Sequence, residues 1–289
     1  MNFKDAVEIT RPINGLMGSL TVFIGILNTR TGVSSINLVL NIILGILTYF
    51  FLSGAGMVIN DIYDLEIDKI NRPERPIPRG SISLSQAKQL YVILLCIGLS
   101  LSFLHMILLE LHPVVFIIAV IFAFIGWLYA VWGKKQGFLG NIIVSVSYSI
   151  GLIYGALLNS EMPIYIYLFF LTSFSLLMAR EIIKGCEDIK GDTEEGVKTL
   201  AITLGINKAV ILGVLFQILA ILFFIFPLFT SIINPVLFLI FMFLGLVVVG
   251  YALLLSFNHN QQKDRFSKIS LLLKVGALFG LLAFLFASI

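Results

Sequence analysis

Charge is scarce in this sequence: Asp, Glu, Lys and Arg make up 12% of its 289 residues, against 59% hydrophobic ones. A mean hydropathy of +1.04 excludes a chain that folds wholly in water. Cysteine is nearly absent. Cys96 sits in an apolar run and Cys186 in a polar stretch, so the sequence offers neither a disulfide framework nor a thiolate metal site. The three histidines, His105, His112 and His259, lie outside the charged clusters and receive no role. No hydrophilic stretch is long enough for a separate soluble domain, so residues 1–289 are expected to form a single membrane domain. Lys4, Asp5, Glu8 and Arg11 precede the first apolar run, and no small-residue cleavage site follows it. That run is expected to stay as a helix rather than act as a signal peptide.

What the chain does have is a series of apolar runs, each close to the roughly 20 residues that a bilayer-spanning helix needs. They fall at 13–28, 37–59, 89–109, 113–132, 141–158, 163–180, 208–226, 235–256 and 270–288. The expected fold is all-α and integral to the membrane, with nine transmembrane helices in a single bundle. With the N-terminus in the cytoplasm, 17 of the 19 Lys and Arg residues fall on the inner side. Only Arg30 lies outside, and Lys274 is close enough to the inner end of the last span to snorkel there. This positive-inside bias predicts a cytoplasmic N-terminus and an external C-terminus in the cell membrane. The pairs Gly151 with Gly155 and Gly276 with Gly280 suit close helix packing in lipid.

Two inner loops, 60–88 and 180–208, carry 11 of the 16 acidic residues. In the first, Asn60 precedes Asp61, Asp64 and Asp68, whose spacing puts three carboxylates on one side of a helix. Oxygen ligands with no His or Cys nearby suit Mg²⁺, which leaves its remaining positions to water and substrate phosphates. A solvated helix end whose acids balance the basic residues after it is the alternative. Downstream, Pro73, Pro76 and Pro78 forbid a continued helix and predict an extended, stiffened loop presenting Arg72, Arg75 and Arg79. Guanidinium forks match phosphate oxygens, so a diphosphate held between metal and arginine is the functional expectation.

In the second loop Arg180, Lys184, Asp188 and Asp192 are each four residues apart, which predicts one stripe on a helix prolonging the sixth span. A chain of exposed ion pairs would have the same spacing, and Gly185 and Gly191 weaken the helix. Taken with the first motif, two carboxylate clusters on one membrane face allow two Mg²⁺ ions to bridge one diphosphate and neutralise it as it leaves.

These residues resemble the UbiA superfamily of intramembrane prenyltransferases, whose hallmarks are N-D-x-x-D-x-x-x-D after the second helix and D-x-x-x-D after the sixth. Asn60, Asp61, Asp64 and Asp68 match the first; Asp188 and Asp192 match the second. Lesser matches are Arg11-Pro12 with Asn14 at the first span, and Tyr129 followed by Lys134 at the end of the fourth. The resemblance implies a central cavity capped on the cytoplasmic side and open to lipid. It also implies Asp61, Asp64, Asp68, Asp188 and Asp192 as metal ligands, with Asn60, Arg72, Arg75, Arg79, Lys134, Arg180, Lys184, Asn14 and Tyr129 around the substrates. Lys184 and Thr193 stand where aromatic-acceptor branches usually carry Tyr and Asp. The resemblance is closer to the branch that adds a geranylgeranyl group from geranylgeranyl diphosphate to geranylgeranylglyceryl phosphate in archaeal ether-lipid synthesis. A chlorophyllide or an aromatic quinone precursor is the other acceptor considered. The implied partners are a prenyl diphosphate, a lipid-like phosphorylated acceptor and membrane lipid, without nucleic acid. A divalent-cation transporter is the rival of another class, but the spans carry almost no ionisable groups for a through-path.

Overall fold

The computed structural model describes residues 2–194, 196–257 and 263–289; Glu195 and His259 lie outside them. Every regular element among these residues is helical. In chain order they are α1 (Phe3–Thr10), α2 (Pro12–Asn28), α3 (Ser35–Tyr63), α4 (Leu65–Asn71), α5 (Leu84–Leu108), α6 (Val114–Val131), α7 (Phe138–Leu158), α8 (Ile164–Glu187), α9 (Ile189–Glu194), α10 (Leu200–Thr203), α11 (Ile206–Ile225), α12 (Pro235–Ser256) and α13 (Lys263–Phe286). Lipid offers no partner to a bare N–H or C=O, and the helix satisfies both internally.

Eight of these helices are long and apolar enough to cross a bilayer, and the chain is a multi-pass membrane protein. The first expected span coincides with α2, an apolar helix of 17 residues. At 1.5 Å per residue it reaches about 25 Å, short of the roughly 30 Å hydrocarbon core. At their C-terminal ends two helices outrun their apolar windows: α3 continues through Asn60 and Asp61 to Tyr63, and α8 continues to Glu187. Apolar windows stop at the first charges, whereas the backbone hydrogen-bond ladder ignores polarity. Both acidic motifs therefore begin on rigid helix ends.

Residue contacts group the chain into two compact units. Unit 1 comprises 1–132 and 154–161, and unit 2 comprises 133–153 and 162–289. In unit 1, α3 is flanked by α1, α2, α5 and α6. Ser34 caps α3 by accepting the Asn37 N–H, and Ser83 with Gln86 forms a reciprocal capping box at α5. Away from the acidic end, a buried polar cluster knits the helices together. His105 Nε2 meets Asn41 Oδ1 at 2.8 Å, and Asn41 Nδ2 donates to Asn159 Oδ1 at 2.8 Å. Asn159 Nδ2 in turn donates to the Ile26 carbonyl and to Thr29 Oγ1. In unit 2, α8 packs on α11 and α13, with Phe169 stacked on Phe284 at 4.0 Å between ring centres.

Two of the expected packing glycines make close contacts. A Cβ on Gly276 would come 2.5 Å from Val249 Cγ1's twin methyl, Cγ2, and one on Gly155 only 2.1 Å from the Val22 carbonyl oxygen. Gly280 has open space where its Cβ would be. Backbone cannot yield as a side chain can. Gly155→Ala is therefore expected to lower stability by about 3 kcal/mol, the upper range for overpacking, read as a fall in melting temperature in detergent. An unchanged melting temperature would mean that α2 and α7 do not pack backbone to backbone.

Candidate active site

The first motif straddles the end of α3. Asp64 caps it with its N–H on the Asn60 carbonyl at 2.9 Å, and α4 carries Asp68 one turn further. Asp61, Asp64 and Asp68 are 2, 5 and 4% exposed. Burying carboxylates costs several kcal/mol each unless they find partners. Arg75 supplies one, spanning Asp61 Oδ1 at 3.3 Å and Asp68 Oδ2 at 2.5 Å. Arg11 also pairs with Asp61 Oδ1. Asn60 Nδ2 donates to Asp64 Oδ2 at 2.8 Å, and its buried Oδ1 finds no hydrogen-bond partner.

Beyond Asn71 the loop differs from the extended segment expected. It coils through successive turns, with the Arg79 N–H on the Arg75 carbonyl, Gly80 on Ile77 and Ile82 on Pro76. Proline fixes a φ that also suits turns, so it stops a helix without straightening the chain. Ile77 and Ile82 are buried with Ile9, Ala55, Val58 and Ala87, which fixes the loop against α1 and α3.

The three arginines expected at the substrate part company here. Arg75 faces the carboxylates, Arg72 is exposed, and Arg79 turns toward α1. Its Nη2 lies 2.6 Å from Asp5 and its Nη1 2.9 Å from Glu8, and it also reaches the Glu74 carbonyl and Ser81. The Glu8 hydrogen bond does most to raise the Arg79 pKa, burial opposes it and Asp5 adds to it, so the group stays cationic. Arg79 thus tethers α1 to the acidic loop and puts the N-terminus on that side of unit 1. Arg79→Ala is expected to speed amide exchange over Phe3–Thr10 about tenfold as local opening becomes easier. Exchange at the parent rate would show that Ile9 alone holds α1. Asn14 lies half-buried in the first turn of α2, with its N–H on the Arg11 carbonyl, and Tyr129 is half-buried near the end of α6.

In unit 2, α8 ends at Glu187 and Asp188 stands as its cap, between α8 and α9. The stripe survives the break, because the Asp188 N–H bonds the Lys184 carbonyl and the Asp192 N–H the Asp188 carbonyl, each at 3.0 Å. Arg180 pairs with Glu181 at 2.5 Å, Lys184 is exposed, and both aspartates are half-buried. Lys134 is half-buried in the turn Gly133–Lys135. Beside it the Lys198 N–H donates to the Lys135 carbonyl at 3.2 Å, and Gly137, at φ 52, leaves no room for a Cβ against the Lys198 carbonyl. A basic turn is thereby fastened to the segment that follows the second motif.

Residues 19–286 match the UbiA prenyltransferase family. The chain belongs to this family. Among its relatives, the digeranylgeranylglyceryl phosphate synthase of Saccharolobus solfataricus is 35% identical over all of this chain and 98% of its own length. A solved structure described as digeranylgeranylglyceryl phosphate synthase superposes with a TM-score of 0.84 at 32% identity, covering 99% of this chain and 98% of that one. A UbiA homologue from Archaeoglobus fulgidus bound to DMAPP and Mg²⁺ has a TM-score of 0.70 at 19% identity, over 95% of this chain and 98% of that one, and shares the fold.

A divalent metal suits the donors of this UbiA protein. The first motif offers buried carboxylate oxygens and the orphaned Asn60 Oδ1, all hard ligands and none of them sulfur or imidazole. Among the described residues no three His, Cys, Asp or Glu side chains converge into a ready-made cluster. Mg²⁺ needs only one or two carboxylates, since phosphate and water complete its octahedron. The resemblance had marked Arg11 only as a match at the first span; its pairing with Asp61, 50 residues away, leaves no local signal in the sequence. The same holds for Asp5 and Glu8, whose one hint is a pair of acids ahead of the first apolar run.

Proposed function

We propose that this prenyltransferase moves the geranylgeranyl group of geranylgeranyl diphosphate onto the hydroxyl of geranylgeranylglyceryl phosphate. The observation that carries the reading is full-length similarity to relatives named for that synthase, combined with buried carboxylates at the end of α3. Asp61, Asp64 and Asp68 at the first motif, and Asp188 and Asp192 at the second, hold Mg²⁺, in our reading two ions. When bound, Mg²⁺ supplies positive charge where the departing diphosphate gathers negative charge. Asn60, Arg75 and Arg72 stabilise the same anion. Arg79 acts at one remove, through α1 and the loop. Lys134, Arg180 and Lys184 supply cations for an acceptor that itself bears phosphate, and Asn14 and Tyr129 line the donor side. The apolar helices keep water from the allylic cation, so a weak hydroxyl nucleophile suffices. Glu187 or the leaving diphosphate takes its proton.

The basic residues on one side of the chain support a cytoplasmic N-terminus, cytoplasmic loops at 60–88 and 180–208, and an external C-terminus in the cell membrane. In this reading α2 serves as the ninth span, and residues 1–289 act as one domain. An aromatic or chlorophyllide acceptor is disfavoured by Lys184, where aromatic-acceptor branches carry tyrosine. The test is incorporation of labelled geranylgeranyl diphosphate with three acceptors in parallel: geranylgeranylglyceryl phosphate, a hydroxybenzoate and a chlorophyllide. Label should enter the glyceryl phosphate lipid. Preference for either other acceptor would overturn the assignment, and Mg²⁺ flux into proteoliposomes without label transfer would favour a transporter.

A further inference from the structure

Buried carboxylates need counter-charge, and in unit 1 guanidinium groups provide it. Arg75 bridges Asp61 and Asp68, and Arg11 shares Asp61 Oδ1 with it. Arg11 is placed there by an unusual backbone. At φ 47 and ψ 63 it is left-handed, a conformation L side chains adopt only against steric resistance, and it ends α1 and begins α2 at one residue. Its N–H bonds the Glu8 carbonyl, its own carbonyl accepts from Asn14, and its guanidinium rests against Met57 Sδ and Asp61. The oxygens these arginines occupy are the ones that a hard dication at Asp61 and Asp68 would require.

We propose that Arg11 and Arg75 are exchangeable counter-ions, held by the carboxylates until a metal-bound diphosphate arrives and then transferred to its oxygens. This rests on the reading of Asp61 and Asp68 as metal ligands, but not on the identity of the acceptor. Charge drives the exchange. Asp61 and Asp68 are already paired with the two guanidiniums, so a dication entering alone would face two displaced cations with no anion to receive them. A dication arriving with diphosphate brings that anion, and guanidinium binds phosphate oxygens as well as it binds carboxylate. Metal and donor therefore bind cooperatively, and metal alone binds weakly. Arg11 thereby becomes a donor-binding residue that couples α1 to the state of the site.

The test uses the full chain in nanodiscs with Mn²⁺ as a paramagnetic probe and no acceptor. Without donor, Arg11→Gln and Arg75→Gln should each bind Mn²⁺ about tenfold tighter than the parent, because a competing cation is gone. At saturating Mn²⁺ the same variants should bind geranylgeranyl diphosphate about tenfold more weakly, because the guanidinium that receives the anion is gone too. Arg11→Lys, which keeps the charge, should stay close to the parent in both and guards against a folding defect. Unchanged or weaker Mn²⁺ binding in both glutamine variants would overturn the exchange. Parent-like Mn²⁺ binding by Asp61→Asn would instead remove the metal ligand itself, and the inference with it.

Discussion

Asp61→Asn is expected to lower kcat/KM by about a thousandfold, the scale on which removing a single preorganised electrostatic group acts. Asn has almost the shape of Asp, so the end of α3 keeps its packing. The negative charge, however, is lost from a side chain 2% exposed, and a neutral amide Oδ1 holds Arg11, Arg75 or a metal ion far less strongly. Two guanidiniums lose a charged acceptor together, so stability should fall as well, by about 1–3 kcal/mol. The readouts are turnover of labelled geranylgeranyl diphosphate at matched protein levels and a melting curve in the same detergent. Near-parent turnover in a variant that inserts normally would remove Asp61 from the chemistry.

Asp188→Asn should separate activity from stability more cleanly. Asp188 is half-buried, caps α8 through its backbone N–H rather than its carboxylate, and makes no side-chain ion pair among the described residues. Losing its charge breaks no salt bridge, so the melting temperature should hold, within the about 0.5 kcal/mol typical of surface changes. Turnover should nonetheless fall by about a hundredfold or more if its carboxylate meets the metal-bound diphosphate. An active Asp188→Asn enzyme would confine the chemistry to the first motif, whereas an inactive and unstable one would make Asp188 structural.

The features legible in the sequence were those with a local period or a local cluster. Each expected span falls on one helix because length and hydropathy decide a lipid-embedded segment almost alone. The acidic motifs were visible because five aspartates stand out where charge is scarce. Helix beyond the apolar windows was legible too, from the four-residue spacing of Arg180, Lys184, Asp188 and Asp192, although Asp188 stands as a cap between α8 and α9. Two things were not legible. The loop around Pro73, Pro76 and Pro78 is coiled rather than extended, because proline restricts one dihedral and leaves the sequence of turns to burial of Ile77 and Ile82. Finally, Arg11 with Asp61 and Arg79 with Asp5 and Glu8 are pairings across 50 to 74 residues, set by the packing of α1 on α3. Such contacts leave no spacing pattern, and the sequence had placed Arg75 and Arg79 alike when only Arg75 faces the carboxylates.

Binding of labelled geranylgeranyl diphosphate to the nanodisc-embedded protein, with Mg²⁺ and again with chelator, tests most directly whether the acidic motifs grip a metal-bound diphosphate. Saturable binding should require Mg²⁺ and should be lost in both Asp61→Asn and Asp188→Asn. Equal binding with and without metal, undiminished by either substitution, would contradict the account.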